Sequence, residues 1–160
     1  MSDDYDFKQP AAAETSTLFF GVALLVASLP GYLFNGVHDM SLADFGVVIL
    51  PITVLGALAL IAGYKHVSDG TFNRLTVIRN QTKINHKKLN MTAAEANAVQ
   101  TQRTQQESVM WSLFLNNAMF VTCFSFFAFY ALQAVAAPYR YTIAMAASAA
   151  FVWQGSQFMG

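Results

Sequence analysis

The sequence predicts an all-α integral membrane protein with four transmembrane helices and a cytosolic helical hairpin between the second and third. Three observations carry this. The composition is 55% hydrophobic and only 11% charged, against the roughly 25% charge of soluble globular proteins. The few charges are segregated: none occurs between Glu14 and Asp39, between Asp44 and Lys65, between Glu107 and Arg140, or after Arg140. Each of these runs meets the about 20 predominantly apolar residues needed to cross a ~30 Å hydrocarbon core. The stretch between the second and third runs carries Lys65, Arg74, Arg79, Lys83, Lys87, Lys88 and Arg103, seven of the nine basic residues in the chain. Lysine and arginine near span ends are retained in the cytoplasm, so this middle segment sets the orientation.

Residues 1–14 form an acidic tail, with Asp3, Asp4, Asp6 and Glu14 against Lys8, and their composition predicts poor order. A cleavable secretory signal starts with basic residues, whereas this start is acidic, so the first apolar run is expected to stay in the mature protein. Residues 15–64 hold the first two spans. Span one covers about 16–34, with Ser16 or Thr17 as its cap and Pro30 in its last turns, a residue that bends membrane helices where neighbours satisfy the freed carbonyl. Residues 35–42 read as a short lumenal turn. His38 and Asp39 lie there without a third ligand or a nearby cysteine, so they read as turn residues and not as a metal site. Span two, about 44–64, contains Pro51 and three small positions, Gly46, Gly56 and Gly63, that let another helix approach closely. Tyr64-Lys65 is its interfacial exit.

Residues 65–108 read as a basic cytosolic helical domain. The second span can continue as a helix, weakened at Ser68-Asp69-Gly70, and along it Arg79, Lys83 and Lys87 fall at i, i+4 and i+8 with His86 and Lys88 beside them. Thr92-Ala93-Ala94-Glu95 has capping-box spacing and marks the start of a second helix running towards span three. That second helix offers mainly Ala93, Ala96 and Val99 among glutamines and threonines, so it buries little apolar area. Three environments suit the basic stripe: anionic lipid headgroups, nucleic-acid phosphates, or water.

Residues 109–160 hold the last two spans. Span three, about 109–132, is the most aromatic. It carries Asn116 and Asn117 one to two turns inside, where amides are stabilised by bonding to a neighbouring helix. They read as helix-packing groups, with a polar pathway as the alternative. Span four, about 139–158, follows a turn at 133–138. It has small residues at its centre and Gln154 and Gln157 near its end, which makes it the weakest of the four.

Chemistry-bearing patterns are scarce. The sequence shows no phosphate-cradling glycine loop, no Cys/His cluster, no paired intramembrane carboxylates, and Cys123 stands alone in an apolar run. Neither a cofactor nor a metal is expected, and a membrane enzyme ranks last. A small four-helix transporter or channel, with Asn116 and Asn117 lining a polar route, remains the alternative to a non-catalytic role.

Four stretches resemble a known family: "TSTLFFG" opening span one, "YKHV" at 64–67, "FLNNAMF" at 114–120 and "YTIAMAASAA" in span four. In order and separation they are similar to the gamma subunit of the translocon-associated protein complex, also called the signal sequence receptor. The resemblance implies four helices in the endoplasmic reticulum membrane and a cytosolic helical domain between the second and third. It also implies a non-catalytic scaffold role beside the Sec translocon channel, assisting protein translocation. The implied partners are the other subunits of that complex, the Sec translocon, the large ribosomal subunit through rRNA and protein, and membrane lipids. Carried onto this sequence, the ribosome contacts fall on Arg79, Lys83, His86, Lys87 and Lys88.

Overall fold

The structure, a computed structural model, describes residues 12–38, 42–81 and 92–159. These form four helices: α1 (Ala12–His38), α2 (Leu42–Gln81), α3 (Ala93–Phe126) and α4 (Ala137–Met159). A π-helical turn, Phe127–Ala131, extends α3 and is closed by the Leu132 N–H donating to the Phe127 carbonyl at 3.0 Å. Helix α2 is central, packing on α1, α3 and α4. Residues 1–11 of the acidic tail, Asp39, and the basic residues Lys83, His86, Lys87 and Lys88 lie outside the described residues.

The helices differ from the sequence expectation mainly in length. Helix α1 begins at Ala12, before the expected cap at Ser16 or Thr17, and continues past Pro30 through the residues read as a turn, as far as His38. Helix α2 runs unbroken for 40 residues, about 60 Å at 1.5 Å per residue, and Ser68-Asp69-Gly70 does not interrupt it. The weakness expected there is overridden because Val67 and Ser68 are buried, and packing outweighs local propensity. Helix α3 starts where the capping-box spacing put it, with Thr92 as N-cap.

Among the described residues, three helices are long and apolar enough to cross a membrane, over Thr15–His38, Gly46–Arg79 and Ala94–Ala131. Their large apolar side chains point outwards: Val47 is 86% exposed and Tyr32 79%, which is the pattern of a bundle solvated by lipid. Helix α4 has 23 residues, about 34 Å. It is long enough to cross, but its centre is small and not strongly apolar.

The bundle interior is built on small residues that let aromatic rings fit. Helix α1 buries Phe19, Ala23, Ala27 and Phe34, α2 buries Ile49, Ala57, Leu60, Tyr64 and Val67, and α4 buries Tyr141, Ala144, Met145, Ser148 and Val152. Phe34 is ringed by Phe124 at 5.8 Å, Phe129 at 5.8 Å and Tyr141 at 5.4 Å. The Tyr141 hydroxyl lies 2.7 Å from Thr53 Oγ1. Since Thr53 gives its one proton to the Ile49 carbonyl at 2.7 Å, Tyr141 is the donor in the link between α4 and α2. At the turn before α4, the Arg140 guanidinium donates to the carbonyls of Gln133 at 2.9 Å and Val135 at 2.8 Å, satisfying groups that the end of the π turn leaves open.

Helix α3 and its π-helical extension bury every fourth residue from Thr104 to Ala128: Thr104, Ser108, Ser112, Asn116, Phe120, Phe124 and Ala128. Four residues advance a helix by about 400°, so the buried line drifts by ~40° per step and ~240° over its length. One helix therefore faces α2 at its N-terminal end and the Phe34 and Tyr141 rings of α1 and α4 at its other end.

Glycines set the closest approaches. A Cβ on Gly63 would stand 2.7 Å from Asn116 Oδ1 and 2.9 Å from Val152 Cγ1, both on buried side chains, whereas one on Gly56 would meet the flexible Cε of Met145 at 2.9 Å. We expect Gly63→Ala to destabilise the bundle by about 1–3 kcal/mol through overpacking, and Gly56→Ala to cost less because methionine yields. Thermal unfolding of the detergent-solubilised variants, side by side, checks the order.

Candidate functional site

Beyond Tyr64, α2 and the first part of α3 run side by side as a two-helix stem. From Tyr64 to Gln81 the stem extends about 25 Å, and its end is joined to α3 by the segment that contains Lys83, His86, Lys87 and Lys88. Those four lie outside the described residues, so of the predicted contact residues only Arg79 is described. It does not stand free. Its Nη1 donates to Thr104 Oγ1 at 2.5 Å and its Nη2 to Glu107 Oε2 at 2.6 Å, an ion pair whose side chains are 27% and 55% exposed. Arg79 thus latches the outer part of α2 onto α3.

Below the latch the two helices meet along small polar side chains. Ser108 and Ser112 are fully buried and Ser68 nearly so. Ser112 Oγ donates to the backbone carbonyl of Tyr64 at 2.6 Å. The Tyr64 hydroxyl donates to Asn117 Oδ1, and Asn116 Nδ2 donates back to the Ser112 carbonyl at 2.9 Å. The structure brings the two predicted asparagines to one place, on either side of a contact with α2. Asn116 Oδ1 accepts no hydrogen bond among the described residues and sits against Gly63. Phe19 of α1 closes the cluster, its ring 5.4 Å from that of Tyr64.

Sequence reasoning missed Tyr64, Thr104, Ser108, Ser112 and Glu107 as parts of this arrangement. The signal for the seam was the four-residue spacing of small hydroxyl residues leading into Asn116, which a search for apolar periodicity passes over.

The site offers no evident chemistry. Among the described residues, no three His, Cys, Asp or Glu side chains come together to hold a metal. The asparagine amides are engaged by α2 and by α3's own backbone, not aligned along an open channel.

Comparison with known proteins adds the decisive observation. The sequence pattern of the family described as translocon-associated protein, gamma subunit (TRAP-gamma), matches residues 4–154. The chain belongs to the TRAP-gamma family. The translocon-associated protein subunit gamma of Dictyostelium discoideum is 28% identical over 142 residues, covering 85% of this chain and 82% of that protein. The match to TRAP-gamma takes in α1, α2, α3 and most of α4 as well as the stem. The chain is thus related to a translocon-associated subunit along its length, and not through a membrane anchor alone.

The foot of α3 in the stem is fixed by a reciprocal cap. The Thr92 N–H donates to Glu95 Oε2 at 2.9 Å, the Thr92 hydroxyl donates to the same oxygen at 2.7 Å, and the Glu95 N–H donates to Thr92 Oγ1 at 3.4 Å. The side-chain bond to Thr92, and then the backbone one, hold the Glu95 carboxyl below its ordinary value of 4.5. A carboxyl depressed in the folded state stabilises above its unfolded pKa, and that stabilisation is lost as pH falls through the folded value. Amide exchange in the first turn of α3, corrected for intrinsic rates, should therefore quicken as pH drops below the ordinary carboxylate range. Thr92→Ala, which removes the side-chain bonds and leaves the backbone one, should weaken the pH dependence.

Proposed function

We propose that this chain is a non-catalytic scaffold subunit of the translocon-associated protein complex, linking the translating ribosome to the Sec translocon and assisting translocation into the endoplasmic reticulum. The observation that carries this reading is the stem. Helices α2 and α3 stay braced together from Tyr64 to Arg79, and α2 leads at Gln81 into the most basic segment of the sequence, about 25 Å along its axis from Tyr64. A segment held at that height is suited to a large polyanion standing over the membrane more than to the headgroups beneath it.

In this reading α4 also crosses, giving four transmembrane helices in the endoplasmic reticulum membrane, with both termini and the stem in the cytosol. The charge asymmetry supports that orientation: seven basic residues fall in 65–107 and only Arg140 in the opposite turns. Residues 1–14 form the cytosolic tail, 15–64 and 109–160 the membrane halves, and 65–108 the ribosome-facing domain. Within the last, Arg79, Lys83, His86, Lys87 and Lys88 contact rRNA or protein of the large ribosomal subunit, Arg79 with the N–H groups that the latch leaves over. Asn116 and Asn117 hold α3 in the bundle. The lipid-facing helix surfaces meet membrane lipids, the other subunits of the complex and the Sec translocon. The transporter reading gains no support from the bonded state of the two asparagines.

Phosphate contacts release counterions, so ribosome binding should weaken as salt rises, with a log–log slope of roughly −0.7 to −0.9 per contact. Replacing Lys83, Lys87 and Lys88 together by glutamate should make that slope shallower by about 2 to 3 and lower co-sedimentation with ribosomes at ~0.15 M salt. Unchanged binding would remove these residues from the docking role. The two glycosylation sequons, Asn80-Gln81-Thr82 and Asn90-Met91-Thr92, should stay unmodified in cells that glycosylate, since only lumenal sites are modified. A glycan on either would invert the orientation.

A further inference from the structure

We propose that the N-terminal segment of the chain, residues 1–11, docks in an apolar groove on the stem, seating Tyr5 and Phe7 between α2 and α3 with its aspartates on the flanking arginines. The groove has a volume of about 530 Å³ and is lined by Thr71, Leu75, Glu107, Met110, Trp111 and Phe114. Its wall is strongly apolar where the stem joins span three: Met110 is 69% exposed, and Trp111 and Phe114 stack with centroids 6.0 Å apart.

The position of the groove identifies its occupant. Tyr64, Thr71 and Leu75 lie at i, i+7 and i+11 and so share one face of α2. That is the face on which Phe19 of α1 packs, against Tyr64. From Phe19 back to Ala12, α1 rises about 10 Å, and from Tyr64 to Thr71, α2 rises the same ~10 Å. Helix α1 therefore begins level with the lower end of the groove, and the groove is the continuation, past the start of α1, of the space that α1 fills lower down. Five residues separate Phe7 from Ala12, a reach of up to ~17 Å, which covers the groove from Thr71 to Leu75.

Residue pattern and charge fit this placement. In "DDYDF" the aromatics Tyr5 and Phe7 alternate with Asp4 and Asp6, so an extended backbone turns both rings to one side and the carboxylates to the other. Arg74 stands three residues from Thr71 on α2, and Arg103 lies one turn beyond Glu107 on α3. Both are exposed, and neither makes an ion pair among the described residues. The acidic lining residue, Glu107, is neutralised by Arg79 at 2.6 Å and does not repel the tail. The docked tail adds a third element to a stem whose two helices share little apolar contact, and it sets a cluster of carboxylates beside the basic segment.

The test places the photoreactive amino acid p-benzoylphenylalanine at position 7 in the full-length protein, in lipid nanodiscs, where its aromatic ring replaces that of Phe7 without touching the folded bundle. Irradiation followed by mass spectrometry should give an intramolecular adduct on the groove, with Met110 the favoured acceptor because benzophenone inserts readily beside sulfur. Asp3→Asn, Asp4→Asn and Asp6→Asn together, or raised salt, should reduce the adduct yield. The proposal is overturned if no adduct forms on Thr71–Leu75 or Glu107–Phe114, whether the label is found on lipid, on a second copy of the chain, or unreacted. It is likewise overturned if the yield is the same with the aspartates neutralised.

Discussion

The two-helix stem depends on the seam where α3 meets α2 around Tyr64. In hydrocarbon there is no water to satisfy a stray polar group, so each one has to be met by another part of the chain. Ser112 reaches the Tyr64 carbonyl, the Tyr64 hydroxyl reaches Asn117, and Asn116 turns back to the Ser112 carbonyl. These bonds fix the relative height and rotation of the two helices at the base of the stem. Small side chains above that point, Ser68, Ser108 and Thr104, keep the backbones close until Arg79 closes the pair at the top. A seam of leucines would hold two helices together in water but would fix their register less strictly, because apolar contact has no direction.

The helices themselves were largely legible in the sequence, because long uncharged runs have few alternatives in a chain of this composition. The capping box at Thr92 was legible for a local reason, since both partners lie within four residues. What could not be read was where helices stop when packing governs. Ser68-Asp69-Gly70 looks like a break by propensity, yet Val67 and Ser68 are buried and α2 continues. The buried line of α3 escaped for a geometric reason: it steps by four residues and changes character from Thr104 and Ser108 to Phe120 and Phe124 as its neighbours change. Asn116 and Asn117 stood out as costly residues that needed partners, but Tyr64 read only as an interfacial aromatic because its partner lies 53 residues away in sequence.

The same geometry separates two mechanical roles. The membrane part is packed on rings: Phe34 against Phe124, Phe129 and Tyr141, with Tyr141 bonded to Thr53. The stem has hardly any such core, so its stiffness comes from helix continuity, a directional seam and one ion pair. In a TRAP-gamma subunit this division is suited to a bundle that holds its place among other membrane helices while a narrow projection carries charge away from them.

Arg79 shows why counting charges overstates a basic surface. By spacing it is the first member of a stripe with Lys83 and Lys87, but its guanidinium is turned onto α3, with Glu107 cancelling its charge and Thr104 taking a second N–H. Such a residue holds the two helices of the stem together, and its loss would loosen α2 from α3. The nearest downstream carboxylate, Glu95, is likewise engaged, by Thr92 in capping α3. Helix α3 thus uses two of its acids for structure, Glu95 in its own cap and Glu107 in the bond to α2.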